Sequence, residues 1–365
     1  MTPSSTDSTT TQPLSRELSR ERLRAMPKIE LHCHLDGSLR PDSMLEIADA
    51  TGVRLPATTP DTLRQYMRAD NVSSLEDYLD RFDATISVLQ TPEAIERAAF
   101  ELVEDAHADG VRYIEVRNAP RLNTRTGLSL DEVMEATMHG LARGEAATGT
   151  VARFIVCSLR HWSPDVSLEM AHLAVRWAHR GTVAFDLAGG EAGNPASAHA
   201  AAFHYAREHF LGVTCHAGEG DGPESVVQAV VDCGANRIGH GVRAGEYPAL
   251  LDYLRDRRIP LELCPTSNVQ THAVPSLGDH PIKQYLDDGL TVTINTDNRL
   301  ISGITLTDEF VHLVSEVGFG ASDLARCVIN GCRAAFLPLP EREKLTARVT
   351  DELARFLAAT SPATT

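Results

Sequence analysis

The run from Val151 to Ala188 reads VARFIVCSLRHWSPDVSLEMAHLAVRWAHRGTVAFDLA. Its two ends, Val151–Leu159 and Thr182–Ala188, are short, apolar and rich in β-branched or aromatic residues, the composition of strands buried on both faces. Between them, Leu168–His179 spaces its apolar residues at helical intervals. Strand, helix and strand at this spacing make one βαβ unit with parallel strands. The rhythm extends in both directions. Upstream, strands are predicted at Ile29–Leu35 and Val111–Arg117. Downstream they are predicted at Gly212–Ala217, Arg237–Gly241, Ile259–Pro265 and Leu290–Thr296, with amphipathic segments such as Ala94–Asp109 and Pro223–Cys233 between them. About eight strands alternating with helices predict an α/β fold, the (β/α)8 TIM barrel.

The interval between the first and second strands is the longest, so extra helices are expected there. Within it, Ser74–Asp83 (SLEDYLDRFD) places Leu75, Tyr78, Leu79 and Phe82 at helical spacing. This segment either packs on the outside of the barrel or covers its mouth, where βα insertions often lie. Met1–Pro13 is Ser/Thr-rich without an apolar core and reads as part of a disordered tail over residues 1–15, not an export signal. Residues 16–360 are then expected to form one barrel domain, with Thr360–Thr365 as a frayed end.

The bulk composition excludes several classes. The chain has 365 residues, 42% hydrophobic and 23% charged, and a formal net charge of −16. That charge argues against nucleic acid or an anionic membrane as partner, since both need a basic face. No stretch approaches the roughly 18 apolar residues of a membrane span. The seven cysteines include no CxxC pair. They read as free thiols of a cytoplasmic protein.

The chemistry-bearing residues fall at the C-terminal ends of predicted strands, the face on which barrel enzymes place their sites. His32 and His34 are two apart in a strand and so share a face. His216 and Glu219 close the fifth strand in His-Ala-Gly-Glu, His240 lies between two glycines, and Asp297 ends the eighth strand. Each has an ordinary alternative: a satisfied turn histidine for His240, a solvated loop acid for Glu219, a helix N-cap for Asp297. Their convergence on one barrel mouth favours a site. Three histidines with one aspartate are an N/O donor set suited to a single Zn2+ ion, with one position left for water. A second metal bridged by a carboxylated lysine is not expected, because the fourth strand ends Phe185-Asp186-Leu187-Ala188-Gly189, without lysine.

From Pro27 to about Leu337 the chain carries PKIELHCHLDGSLRP, SLEDYLDRFD, SLRH, FDLAGGE, HAGE, RIGHG, LCPTSN and INTDN. In this order they resemble the bacterial-type adenosine deaminase family. The resemblance implies hydrolysis of adenosine and 2′-deoxyadenosine to inosine and deoxyinosine with loss of ammonia. It implies zinc ligands at His32, His34, His216 and Asp297, one ion per chain. It also implies Glu219 as the acid that protonates purine N1 and His240 as the group orienting the attacking water. Gly189 would offer its N–H to N3, Asp36 with His34 would hold the ribose 5′-hydroxyl, and residue 298 would contact N7. The family usually has a second aspartate at that last position, where this chain has Asn298, whose amide can donate to N7 directly. Arg299 stands where proline is common and Gly190 where an acid is common, and both are expected to alter the mouth. Relatives acting on free adenine or aminodeoxyfutalosine supply the alternative substrates; a binding protein that kept the fold without turnover is a further alternative.

Overall fold

Eight parallel strands run in sequence order around one sheet: β1 Lys28–His34, β2 Val111–Asn118, β3 Val151–Leu159, β4 Thr182–Ala188, β5 Gly212–Ala217, β6 Arg237–His240, β7 Leu261–Leu263 and β8 Val292–Ile294. The computed structural model describes residue 14, residues 18–70, residue 72 and residues 74–359. The tails expected at Met1–Pro13 and Thr360–Thr365 lie outside these. A parallel bridge between Cys33 and Asp297 joins the last strand end to the first. His34 N donates to Asp297 O at 2.8 Å and Asp297 N donates to His32 O at 3.0 Å. The α/β barrel read from the sequence is therefore the architecture found.

β3, β4 and β5 span the predicted residues, whereas the last strands are shorter than expected. β7 is confined to Leu261–Leu263 because Pro260 has no N–H and Pro265 opens the helix Pro265–Gln270. β8 stops at Ile294 because the next residues bond through side chains. Leu31 N donates to Asn295 Oδ1 at 2.8 Å, and Thr296 N donates to Glu30 Oε1 at 3.2 Å. β6 ends at His240, where the chain turns left-handed at φ 61° and stays so at Gly241, φ 69°.

The outer helices pack closely. A Cβ on Gly140 would lie 2.3 Å from Glu96 O and one on Gly144 2.6 Å from Val103 Cβ, so helix Leu130–Thr148 lies directly against helix Pro92–Ala108. Between β1 and β2 the chain forms the helices Pro41–Thr51, Pro60–Met67, Leu75–Leu79 and Phe82–Val88 before Pro92–Ala108. The predicted helical segment at Ser74–Asp83 is thus split into two short pieces. Its Leu75, Tyr78, Leu79 and Phe82 all line the cavity at the C-terminal ends of the strands, which is the mouth-covering arrangement.

The barrel interior is not purely apolar. Glu115 and Arg117 of β2, Asp186 of β4, Arg237 of β6 and Glu262 of β7 are buried together. Arg117 pairs with Asp186 and Glu262, each at 2.8 Å, while Arg237 pairs with Glu262 at 2.5 Å and with Glu115. These charges sit directly beneath the polar residues of the mouth.

Candidate metal centre and active site

His32, His216, His240 and Asp297 each offer a ligand atom within 4.8 Å of the others. His34 belongs to the same cluster: its Nε2 lies 3.1 Å from His216 Nε2 and 3.4 Å from Asp297 Oδ1. His32 Nε2 lies 3.3 Å from Asp297 Oδ1. Four donors about 2.0–2.1 Å from a tetrahedral ion lie about 3.3–3.4 Å apart. The 3.1, 3.3 and 3.4 Å edges among His32, His34, His216 and Asp297 therefore suit such an ion. His32 Nε2 is buried with no hydrogen-bond partner, an orphan that a cation would satisfy.

The orientation of these rings comes from the charged interior. His32 Nδ1 donates to Glu262 Oε2 at 3.0 Å, and His216 Nδ1 donates to Asp186 Oδ1 at 3.1 Å. Each bond puts the ring proton on Nδ1 and leaves the Nε2 lone pair for a metal. Burial alone would push both carboxyls up. Arg117 and Arg237 outweigh it at Glu262, and His216 and Arg117 at Asp186, so both stay ionised far below the usual range. Ser267 Oγ donates to Asp297 Oδ2 at 2.7 Å, leaving Oδ1 for the cluster. Asp297 itself is left-handed at φ 60°, which aims its side chain back over β1. Gly239 allows the rings their approach, since a Cβ there would meet both His32 Cε1 and His216 Cα at 3.1 Å.

Asp186→Asn should therefore weaken metal binding by about 10- to 100-fold, the usual scale for losing a ring-orienting partner. Competition against a chelator measures it. Unchanged affinity would mean that His216 is oriented by something else.

A cavity of about 300 Å³ opens above the cluster. His34, Asp36, Gly189, His216, Glu219, His240, Asp297 and Asn298 all line it, with His32 buried below. A larger basin, about 1010 Å³, lies at the opposite end of the barrel beside Thr182, Gly212 and Arg237, the first residues of their strands, and away from these groups.

Glu219 faces His240, with Oε2 at 3.3 Å from His240 Nε2, and its Oε1 is 3.0 Å from Thr271 Oγ1. Burial, then Asp297 and Glu191, raise its carboxyl well above the ordinary range. The loop that carries it is fixed by Glu191, whose carboxylate accepts from the N–H groups of Gly218, Glu219 and Gly220 at 3.0, 2.9 and 3.2 Å. An acid thus does stand in the β4 loop, one residue beyond Gly190. Asp36 Oδ1 is buried without a partner, and burial pushes that carboxyl up to about 7. Asn298 Nδ2 donates to the Tyr78 hydroxyl at 3.0 Å, and Oδ1 has no partner. Arg299 does not reach the mouth as expected: its guanidinium is held by Glu30 at 2.5 Å and Asp109 at 3.5 Å.

Sequence reasoning missed Glu262, Asp186, Arg117, Glu191, Ser267 and Asn268, whose Nδ2 lies 3.0 Å from His240 Nδ1, as supports of this site. The available signal was a charged residue inside an otherwise apolar strand, as in Leu261-Glu262-Leu263.

The adenosine deaminase family model matches residues 27–352. An adenosine deaminase of Mycobacterium avium is 46% identical over 351 residues, covering 90% of this chain and 95% of the relative. Among solved structures, an adenine deaminase from Arthrobacter aurescens superposes with a TM-score of 0.85 at 30% identity, covering 92% of this chain and all of that one. The N6-methyl-AMP deaminase of Arabidopsis thaliana superposes at 0.78 with 26% identity, covering 91% and 98%. With the family's motifs brought to one cavity at one end of the barrel, the chain belongs to the adenosine deaminase family.

Proposed function

We propose that this chain is a zinc-dependent hydrolase that converts adenosine and 2′-deoxyadenosine to inosine and deoxyinosine with release of ammonia. The observation that carries the reading is the buried carboxyl of Glu219 beside His240, on the wall of the cavity that also holds the histidine–aspartate cluster. We assign His32, His34, His216 and Asp297 as ligands of one zinc ion. Zinc, when bound, supplies a Lewis acid that makes water nucleophilic near neutral pH.

The protein's own groups do the rest. Glu219, kept protonated by burial, donates to purine N1 and so makes C6 electrophilic. His240 offers a ring nitrogen beside that carboxyl, orients the attacking water and steadies the charge on its oxygen. Gly189, left-handed at φ 91°, presents its N–H for N3. The orphaned Asp36 oxygen takes the ribose 5′-hydroxyl, with His34 alongside. The helix Leu75–Leu79 excludes water through Leu75, Tyr78 and Leu79.

Among the lining residues Arg125 is the one arginine or lysine, against Asp36, Asp80, Asp83, Glu219 and Asp297. That balance disfavours a phosphorylated substrate, such as the Arabidopsis enzyme's, and Asp36 favours a nucleoside over free adenine. All seven cysteines are free and buried, which fits the reducing cytoplasm, and no helix of the described residues is long and apolar enough to cross a membrane. The decisive test follows absorbance on mixing purified enzyme with adenosine, adenine or AMP. Turnover of adenine or AMP without adenosine would overturn the assignment.

Asn298 sets a finer test. Turned end for end, its amide keeps the Tyr78 hydroxyl as a donor to Oδ1 and frees Nδ2 for purine N7; Tyr78 then accepts from Ser302 Oγ, 3.0 Å away. Replacing N7 by carbon, as in 7-deazaadenosine, leaves that donor unpaired. The cost is roughly 1–3 kcal/mol, or about 5- to 150-fold in kcat/KM. Asn298→Ala should remove most of this discrimination while lowering activity on adenosine. Equal discrimination by both enzymes would show that the contact is not made.

A further inference from the structure

One hydrogen-bonded chain enters the site from outside it. It begins at the backbone N–H of Ile282, which donates to His280 Nδ1 at 3.1 Å. His280 Nε2 lies 3.2 Å from Asn268 Oδ1, and Asn268 Nδ2 lies 3.0 Å from His240 Nδ1. His280 and Asn268 are buried.

The polarity of this chain is determined by its first bond. A backbone N–H can only donate, so His280 Nδ1 must accept. Burial drops the His280 pKa to about 3, so the ring is neutral at working pH and carries its one proton on Nε2. That proton requires an acceptor, which fixes Asn268 with its oxygen toward His280 and its nitrogen toward His240. The reverse amide orientation would set two donors against each other. Asn268 Nδ2 then donates to His240 Nδ1, and the neutral His240 ring must hold its proton on Nε2. This is opposite to His32 and His216, whose Nδ1 protons go to carboxylates.

We infer that His280 is a positioning residue: acting through Asn268, it fixes the tautomer of His240 so that Nε2–H, not a lone pair, faces Glu219. No proton travels along the chain. Its consequence is a division of labour among four neighbouring rings. His32 and His216 present lone pairs to a cation, whereas His240 presents a donor and is barred from ligation. The same polarity therefore favours His34 over His240 as the third nitrogen ligand. The inference builds on the catalytic roles proposed for Glu219 and His240.

Two measurements test it. In His280→Leu, kcat on adenosine should fall by about 10- to 100-fold with KM and metal content near wild type. The melting temperature should drop, because Ile282 N–H and Asn268 Oδ1 lose their buried partner. His280→Gln, whose amide nitrogen can replace Nε2 as the donor, should recover most of that loss. Equal kcat in the Leu and Gln variants, or a wild-type kcat in His280→Leu, would overturn the inference. The second measurement needs neither turnover nor a variant that folds: nitrogen-15 spectra of histidine-labelled, zinc-loaded enzyme. His240 should show a protonated Nε2 and an unprotonated Nδ1, and the opposite pattern would refute the relay even if adenosine proves to be the substrate.

Discussion

Glu219→Gln is expected to retain one zinc per chain and near-normal nucleoside binding while kcat on adenosine falls by at least about 100-fold, the scale for a lost general acid. The amide keeps the shape of the side chain: its oxygen can accept from His240 Nε2–H and its nitrogen can donate to Thr271 Oγ1, whose own proton goes to Ser267 O. It cannot give up a proton to N1. Because Glu191 holds the loop through three backbone N–H groups, the substitution should leave the backbone in place. Steady-state kinetics, an inhibitor-binding titration and metal analysis separate these effects. Near-normal turnover would mean that another group protonates the ring.

The second large effect is expected just beneath the histidine cluster, at Glu262. Its two oxygens accept from Arg237 Nε at 2.5 Å, Arg117 Nη2 at 2.8 Å, His32 Nδ1 at 3.0 Å and Thr214 Oγ1 at 3.1 Å. Glu262→Leu removes the acceptor and leaves two guanidiniums buried with Asp186 and Glu115 as their remaining acidic partners. Breaking a buried pair from one side costs roughly 3–5 kcal/mol, because the surviving charge cannot return to water. The same substitution frees the His32 ring to turn, so zinc affinity should drop as well. Denaturant unfolding of the zinc-loaded and chelated forms separates the two contributions. Stability within about 0.5 kcal/mol of wild type in the chelated form, the range of an ordinary surface change, would show that the arginines find other partners.

Much of the barrel was legible because its strands are short apolar runs and its breaks carry polar residues. His32 and His34 are conspicuous by their spacing of two, and His216, Glu219, His240 and Asp297 because each interrupts or ends such a run. Asp36, Gly189 and Asn298 could be named through family resemblance, since nothing in their immediate neighbours distinguishes them. Glu262 and Asp186 were not legible as supports. Each is a single charge within a strand, and its meaning depends on partners far along the chain: Arg117 is 145 residues from Glu262. His280 is still harder to see, because its role depends on the direction of one backbone N–H. The end of β8 lies short of its predicted bound for a related reason: Asn295 and Glu30 side chains take over bonding that periodicity assigns to the backbone, while Pro260 and Pro265 cut β7 at both ends.

The barrel closes where β8 meets β1, through the paired backbones of His32, His34 and Asp297. Three of the four proposed ligands stand on this join, two on one side and one on the other. An ion held by them is a cross-link between the first strand of the barrel and the end of the last, closing residues 32–297 of the 365-residue chain into a single loop. Ring closure of that kind lowers the freedom of the unfolded chain as well as adding bonds to the folded one. Chelation should therefore loosen this protein along one line, the join itself, while the unbroken register of β2 with β3 is spared. The ion proposed to make water reactive would also fasten the two ends of the sheet, so activity and barrel closure would draw on the same bond energy.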